Sequence, residues 1–355
     1  MFENTSMPVL VTGATGYVAG WLVKRLLEEG HTVHATVRQP AHQEKRAHLD
    51  ELGEKLPGTL KIFQADLLEE GSFAQAMEGC SVVFHTASPF TLNVEDPQKE
   101  LIDPAVKGTE NVLQQAQKTP TVQRVVLTSS CAAIYTDASD TTQAPEGGLT
   151  EAHWNETASL EYQPYSYSKT LAERRAWELA QEQQQWDLVT INPSFVLGPA
   201  LQKGDVTSES YNLLRQLGDG TMKQGVPRMG IGLVDVRDVA EAHYRAAFTP
   251  TAQGRYITSG HNTDFLEIAQ QLLPRYGDSY PIPRKALPKW LLLLIGPLVN
   301  KIFSRKMVRR NVNVPFRVNN QKIKKELDLN FRPMRETVED SFQYMIDSGF
   351  FATAS

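Results

Sequence analysis

The 355 residues suffice for one large domain or two intimately joined ones, and 41% hydrophobic with 22% charged residues is an ordinary globular balance. A formal net charge of -5 argues against nucleic acid as a partner, and the two cysteines, Cys80 and Cys131, cannot build a disulfide framework, so a cytoplasmic setting is expected. Met1 to Pro8 shows no basic-then-apolar leader pattern, and the eight histidines lack HExxH or Cys/His spacing, so no metal site is expected.

Val9 to Thr12 has the pattern of a short buried strand, after which Val18, Leu22, Leu26 and Leu27 recur at helical spacing until Gly30. Strand-like runs return at residues 32–37, 60–64, 82–85, 125–128 and 188–192, with helical patterns between them, notably at 106–116 and 168–180. This alternation predicts an α/β fold, a Rossmann-type doubly wound parallel sheet over residues 1–193. Residues 137–164 are polar and turn-rich, a surface excursion beside the site. Residues 232–248 regain a strand-then-helix character and are expected to return to the sheet, so that about 228–262 rejoin the first unit. Residues 194–227 and 263–355 are expected to form a smaller, mainly helical substrate-binding part.

One stretch stands apart. Trp290 to Ile295 is unbroken apolar sequence, stopped by Gly296-Pro297 and too short for the roughly 20 residues that span a bilayer. A helix covering the substrate pocket or a subunit contact is expected there. The basic flank of Lys301, Arg305, Lys306, Arg309 and Arg310 leaves peripheral membrane contact as the alternative.

Thr12-Gly13-Ala14-Thr15-Gly16-Tyr17-Val18-Ala19 lies where the first strand meets the first helix. Glycines at 13 and 16 permit a tight turn, and the N–H groups from Gly13 through Val18 can approach a pyrophosphate at the helix N-terminus. The second strand ends at Val37, where an NAD site wants a carboxylate for the ribose 2′-hydroxyl. Here Arg38 follows, with Lys45 one loop later, a pair suited to the 2′-phosphate of NADP(H). Asp66-Leu67, after the third strand, can hold the adenine amine and ring, although an aspartate there is also a common helix cap.

Tyr165 and Lys169 are four apart in a helix-forming run, which sets phenol and ammonium on one face. A nearby cation favours phenolate, and lysine can also hydrogen-bond the nicotinamide ribose. Tyr167, two residues from Lys169, faces away. Residues 125–130 run from an apolar strand into hydroxyls, and Ser130 can share the charge developing on a substrate oxygen while Tyr165 transfers the proton. Phe90, Ile134, Tyr135 and Tyr211 are expected to line an apolar substrate cavity with Ser130 and Tyr165.

Gly13-x-x-Gly16-x-x-Ala19, Ser130 and Tyr165-x-x-x-Lys169, in that order, give a chain that resembles the extended short-chain dehydrogenase/reductases. More narrowly it is similar to the dihydroflavonol reductase, cinnamoyl-CoA reductase and yeast-type aldehyde (methylglyoxal) reductase group. Val83-Phe84-His85-Thr86-Ala87-Ser88-Pro89, Val106-Lys107-Gly108-Thr109, Ser168-Lys169-Thr170-Leu171-Ala172-Glu173 and Ile191-Asn192-Pro193 carry the likeness over roughly the first 250 residues. The resemblance implies that the backbone at Thr86, Ala87 and Ser88 and the stretch from Pro193 to Val196 flank the nicotinamide. It also implies a sheet-packing helix at 106–112 of the kind many relatives pair in homodimers, and a monomer or homodimer is expected.

Two departures limit it. In the flavonoid enzymes an asparagine follows the serine pair, where this chain's segment is Cys131-Ala132-Ala133-Ile134-Tyr135. The CoA enzymes carry Asn-Trp-Tyr-Cys-Tyr around the tyrosine, where this chain has Gln163-Pro164-Tyr165-Ser166-Tyr167. The expectation is therefore an NADPH-dependent reductase of a small or medium, mostly apolar aldehyde or ketone. A nucleotide-sugar epimerase/dehydratase, a hydroxysteroid dehydrogenase and a non-enzymatic NADP sensor are the alternatives on the same fold.

Overall fold

A computed structural model describes residues 7–88, 94–142, 144, 147–202, 209–299 and 304–351. Its strands are β1 (Val9–Val11), β2 (Thr32–Val37), β3 (Thr59–Gln64), β4 (Val82–His85), β5 (Arg124–Thr128), β6 (Asp187–Pro193), β7 (Phe195–Leu197), β8 (Gly230–Asp235), β9 (Gly254–Thr258) and β10 (His261–Asp264). The helices of the first half are α1 (Tyr17–Glu28), α2 (Gln43–Lys55), α3 (Ala74–Met77), α4 (Asp103–Gln117), α5 (Ala138–Thr141) and α6 (Pro164–Gln181). Those of the second are α7 (Glu209–Gly218), α8 (Val236–Phe248), α9 (Phe265–Tyr276), α10 (Lys289–Val299), α11 (Arg305–Asn311), α12 (Gln321–Glu326) and α13 (Met334–Asp347).

Seven strands form a parallel sheet in the order β3-β2-β1-β4-β5-β6-β9, the doubly wound arrangement whose strand order reverses beside β1. Its middle strands are buried on both faces and accordingly read as near-continuous apolar runs. Helix α1 buries Ala19, Leu22, Val23, Leu26 and Leu27 along one stripe, packing with α8 on one face of the sheet. Gly30 ends that helix in the left-handed region, at φ +81°. On the other face α3, α4 and α6 enclose Phe73, Met77, Val112, Leu113 and Ala176. At the N-terminal edge of the strands, buried Arg124 grips Asp187 with two bonds of 2.8 Å and donates to the carbonyls of Ala246 and Thr249. That clamp ties β5, β6 and α8 together at the end of the sheet opposite the ligand edge.

The expected return of residues 232–248 to this sheet is only half correct. Helix α8 packs on the sheet, but β8 pairs with β7 and β10 in a separate three-stranded sheet, and β9 makes the return. β8 instead runs parallel to β7 and antiparallel to β10, and it packs closely where β6 and β9 end: a Cβ on Gly232 would lie 2.8 Å from the Ser194 Cβ and 2.5 Å from Ser259 Oγ. Around the small sheet, α7, α9 and α13 enclose Tyr211, Leu214, Leu217, Ile268, Leu272, Val338 and Phe342.

Candidate active site

The turn from β1 into α1 is held open by hydrogen bonds. Gly13 N–H donates to Thr36 Oγ1 at 3.2 Å, Ala14 N–H to the Thr36 carbonyl at 2.9 Å and Gly16 N–H to the Gly13 carbonyl at 2.9 Å. Gly13 adopts φ +65°, and a Cβ there would lie 2.9 Å from the Ala87 methyl, so only glycine fits. The Thr12 hydroxyl accepts from the Thr86 and Ala87 N–H groups at 3.1 and 3.0 Å and contacts His85 Nδ1 at 3.0 Å. Burial lowers His85 to about 3, with the Lys169 charge acting in the same direction, so its ring is neutral near pH 7. Two loop ends are thereby fixed side by side at the C-terminal edge of the sheet, below the first turn of α1 with its unpaired N–H groups.

Ser130, Tyr165 and Lys169 come together on that edge. Ser130 leaves β5 as the cap of a short 3-10 turn, Cys131–Ala133, accepting from Ala132 N–H at 3.1 Å. Gln163 takes a left-handed conformation, φ 57°, and Pro164 opens α6, so Tyr165 falls in its first turn. Tyr165 is 39% exposed as a residue, while its hydroxyl is turned inward and hydrogen-bonded with the Ser130 hydroxyl. Burial pushes its phenol above the ordinary value, and that bond draws it part of the way back.

Lys169 donates to Ser88 Oγ at 2.8 Å and stands 5.8 Å from the Tyr165 ring centre. Burial lowers Lys169 to about 8, opposed by the Glu173 carboxylate. Desolvation pushes both groups toward their neutral forms, and a serine rather than the tyrosine receives the ammonium.

Behind the trio lies a buried charge pair that the sequence reading missed. Glu173 is wholly buried and binds Arg255, 7% exposed, at 2.6 Å. The same carboxylate accepts from Ser129 Oγ at 2.5 Å, Asn192 Nδ2 at 2.8 Å and Thr190 Oγ1 at 3.2 Å, joining α6 to β5, β6 and β9. Asn192 also donates to the Ser130 carbonyl at 3.1 Å. The signal was available: Glu173 is one turn beyond Lys169 and two beyond Tyr165, a charge on the face the helix buries. Thr128 contacts His243 Nε2 at 2.6 Å, so it and Ser129 are strand-ending structural hydroxyls.

The other expected site residues divide. Arg38 and Lys45 are exposed beside the end of β2, and among the described residues neither joins an ion pair. Asp66 caps the next turn, accepting from Leu68 N–H at 2.9 Å, while Leu67 borders the same cleft as Ala87, Ser88 and Lys169. Pro193 and Val196 bracket the step from β6 to β7. Ile134 and Tyr135 belong to a small apolar cluster with Phe316 and Val318 beyond the 3-10 turn. Phe90 lies outside the described residues. Tyr211 is not brought to the trio: it is 2% exposed in the second core, its hydroxyl on the Gly198 carbonyl at 2.7 Å and its ring edge-on to Tyr17.

This sheet order, with a serine, a tyrosine and a lysine at its C-terminal edge behind a glycine turn, defines an extended short-chain dehydrogenase/reductase. The chain belongs to the NAD dependent epimerase/dehydratase family, whose model matches residues 9–257. It is 43% identical over 289 residues to cinnamoyl-CoA reductase CAD2 of Medicago truncatula, across 80% of this chain and 85% of that one. It is 38% identical to tetraketide alpha-pyrone reductase 1 of Arabidopsis thaliana, across 97% of each. Among solved structures, Gre2 of Candida albicans in complex with NADPH superposes with a TM-score of 0.77 at 27% identity, over 96% of this chain and 99% of that one.

Proposed function

We propose that this protein is an NADPH-dependent carbonyl reductase acting on a small or medium, mostly apolar aldehyde or ketone. The observation that carries the reading is the convergence of Ser130, Tyr165 and Lys169 at the ligand edge of the sheet, beside a glycine turn and an exposed, unpaired arginine at the end of β2. The relatives bear reductase names, and the Gre2 structure holds NADPH.

The residues present fit the dinucleotide. Gly13, where a Cβ would strike Ala87, lets the β1–α1 turn pack against the Thr86–Ser88 loop at the N-terminus of α1, where a pyrophosphate would bind, and Arg38 with Lys45 would hold a 2′-phosphate. When bound, the nicotinamide supplies the hydride for the carbonyl carbon. The Ser130 hydroxyl orients the carbonyl oxygen, and Tyr165 hands its phenolic proton to that oxygen as charge develops. Burial of the phenol favours its protonated form, the form that donates in reduction. Lys169, whose ammonium lies beside the tyrosine ring and on Ser88 Oγ, would hold the nicotinamide ribose of the bound dinucleotide.

A nucleotide-sugar epimerase shares the trio, but the position after β2 is Arg38 rather than the acidic residue that suits tightly held NAD. The test is NADPH absorbance during incubation with a panel of aldehydes, diketones and ketoesters. Consumption by several, with NADH much poorer, is the expected result. No consumption by any of them, or epimerisation of a nucleotide sugar without net loss of NADPH, would overturn the reading.

A further inference from the structure

Residues 279–325 contain twelve lysines and arginines and no aspartate or glutamate, a third of the basic residues of a chain whose net charge is negative. Helices α10 and α11 of this stretch form one surface. Helix α10 turns Leu292 inward against Val308 and Val312, while Trp290 is 66%, Leu294 60% and Ile295 40% exposed. Spaced at i, i+4 and i+5, these three share one face. They are three of the five large apolar side chains most exposed among the described residues, and a fourth is the active-site Tyr165. Among the described residues nothing covers this outer face of the helix expected over the substrate pocket or at a subunit contact.

Basic side chains border that face. Arg305, Lys306 and Arg309 are exposed on α11. Arg305 Nε donates to the Leu293 carbonyl at 3.4 Å, and Lys289 Nζ donates to the Arg309 carbonyl at 3.1 Å, so α10 and α11 hold charge and apolar surface side by side. Arg310 is bound to Asp137 and Asp140, but among the described residues Lys289, Arg305, Lys306 and Arg309 have no acidic partner. Lys306 lies 3.5 Å from the Tyr162 ring centre, which sets α11 against the segment leading into α6.

Charge selects the occupant. A two-fold dimer would bring this patch against itself, and Arg305, Lys306 and Arg309 would meet their own copies. A bilayer with anionic headgroups complements them, and its interface accepts tryptophan beside leucine and isoleucine. At 11 residues α10 is about 16 Å long, well short of the roughly 30 Å hydrocarbon core, so it lies on the surface instead of crossing it. We propose that the α10–α11 face docks the protein on anionic phospholipid membranes, Trp290, Leu294 and Ile295 entering the acyl boundary and Lys289, Arg305, Lys306 and Arg309 meeting the headgroups.

Flotation of the full chain with vesicles tests this, comparing phosphatidylcholine alone with the same lipid containing roughly one-third phosphatidylglycerol. The protein should float with the anionic vesicles, stay behind with the neutral ones, and be released at about 0.5 M salt, where charges act over only a few ångströms. Each basic residue close to such a surface is worth roughly fivefold in partition, so Arg305→Glu with Arg309→Glu should reduce binding by more than about tenfold, and Leu294→Glu should do the same. Carbonyl reduction by these variants checks that they are folded. Trp290→Phe, a milder change, should keep most binding and lose quenching by brominated lipid. Equal recovery with both vesicle types would overturn the proposal, as would unchanged binding by both charge-introducing variants. Absence of vesicle binding, with a dimer that Leu294→Glu dissociates in sedimentation, would overturn it in favour of a second copy of the chain.

Discussion

Helices α6 and α10 reverse each other. The first is polar in composition, yet it buries Ser166, Ser168, Thr170 and Glu173 and carries Tyr165 and Lys169. The second is almost wholly apolar, yet it leaves Trp290, Leu294 and Ile295 in water. Each departs from what hydrophobicity alone requires, and such departures are the informative ones, since a scattered exposed leucine means little. Buried polar groups on α6 mark where chemistry needs fixed hydrogen bonds. Exposed apolar groups on α10 mark a surface that no described residue covers, the one proposed above to meet a membrane.

The strongest way to break this contrast is Tyr165→Phe, which removes one hydroxyl from α6 and keeps its ring. Folding and NADPH affinity should survive, while kcat falls by roughly two to four powers of ten, the usual worth of a positioned acid. Stopped-flow turnover beside NADPH binding by fluorescence checks both parts, and near wild-type turnover would return α6 to the status of an ordinary packed helix.

Glu173→Gln attacks the buried pair. Arg255 would keep its charge without a carboxylate, and stability should drop by about 3 kcal/mol, read as a lower midpoint in urea. A second effect has a sign. Glu173 holds the Lys169 ammonium up, so its loss should carry Lys169 below about 8. If reduction needs the charged lysine, the fall in kcat/KM on the alkaline side should move to lower pH in Glu173→Gln, and disappear in a Lys169→Arg enzyme that still turns over. An alkaline limb that stays in place would separate Glu173 from the lysine.

Arg38 adds a third kind of residue to the contrast, a charge that is exposed and, among the described residues, in no ion pair. Arg38→Asp should weaken NADPH far more than NADH, since a carboxylate repels the phosphate and accepts from a hydroxyl; about 2 kcal/mol of changed preference, some thirtyfold in the ratio of kcat/KM, is expected. An unchanged ratio would mean another group reads the ribose. The smallest effect belongs to the outer face of α10. Leu294→Ser should change the melting temperature by an amount equivalent to no more than about 0.5 kcal/mol, whereas Leu292→Ala, on the inner face, should cost roughly 2 kcal/mol or more. Equal losses at the two positions would show that the outer face is covered in solution.

Sequence alone determined what local spacing and chain order carry. Strand-like runs located six strands of the main sheet to within a residue or two, the central ones because a strand buried on both faces reads as an apolar run, although β3 at the edge is not buried. The glycine turn, the seat of Ser130 at the end of β5 and the four-residue step from Tyr165 to Lys169 were equally legible, since each is set by a few neighbouring residues and one helical turn. Tertiary structure alone decided which of two strand-like runs, β8 or β9, would join the sheet. It also decided that Tyr211 packs in the second core, that Lys169 reaches Ser88, and that Glu173 meets Arg255 across 82 residues of chain. The physical reason is common to all four. A side chain's period along its own segment says which face it occupies, but its partner is supplied by whatever distant segment packs against that face.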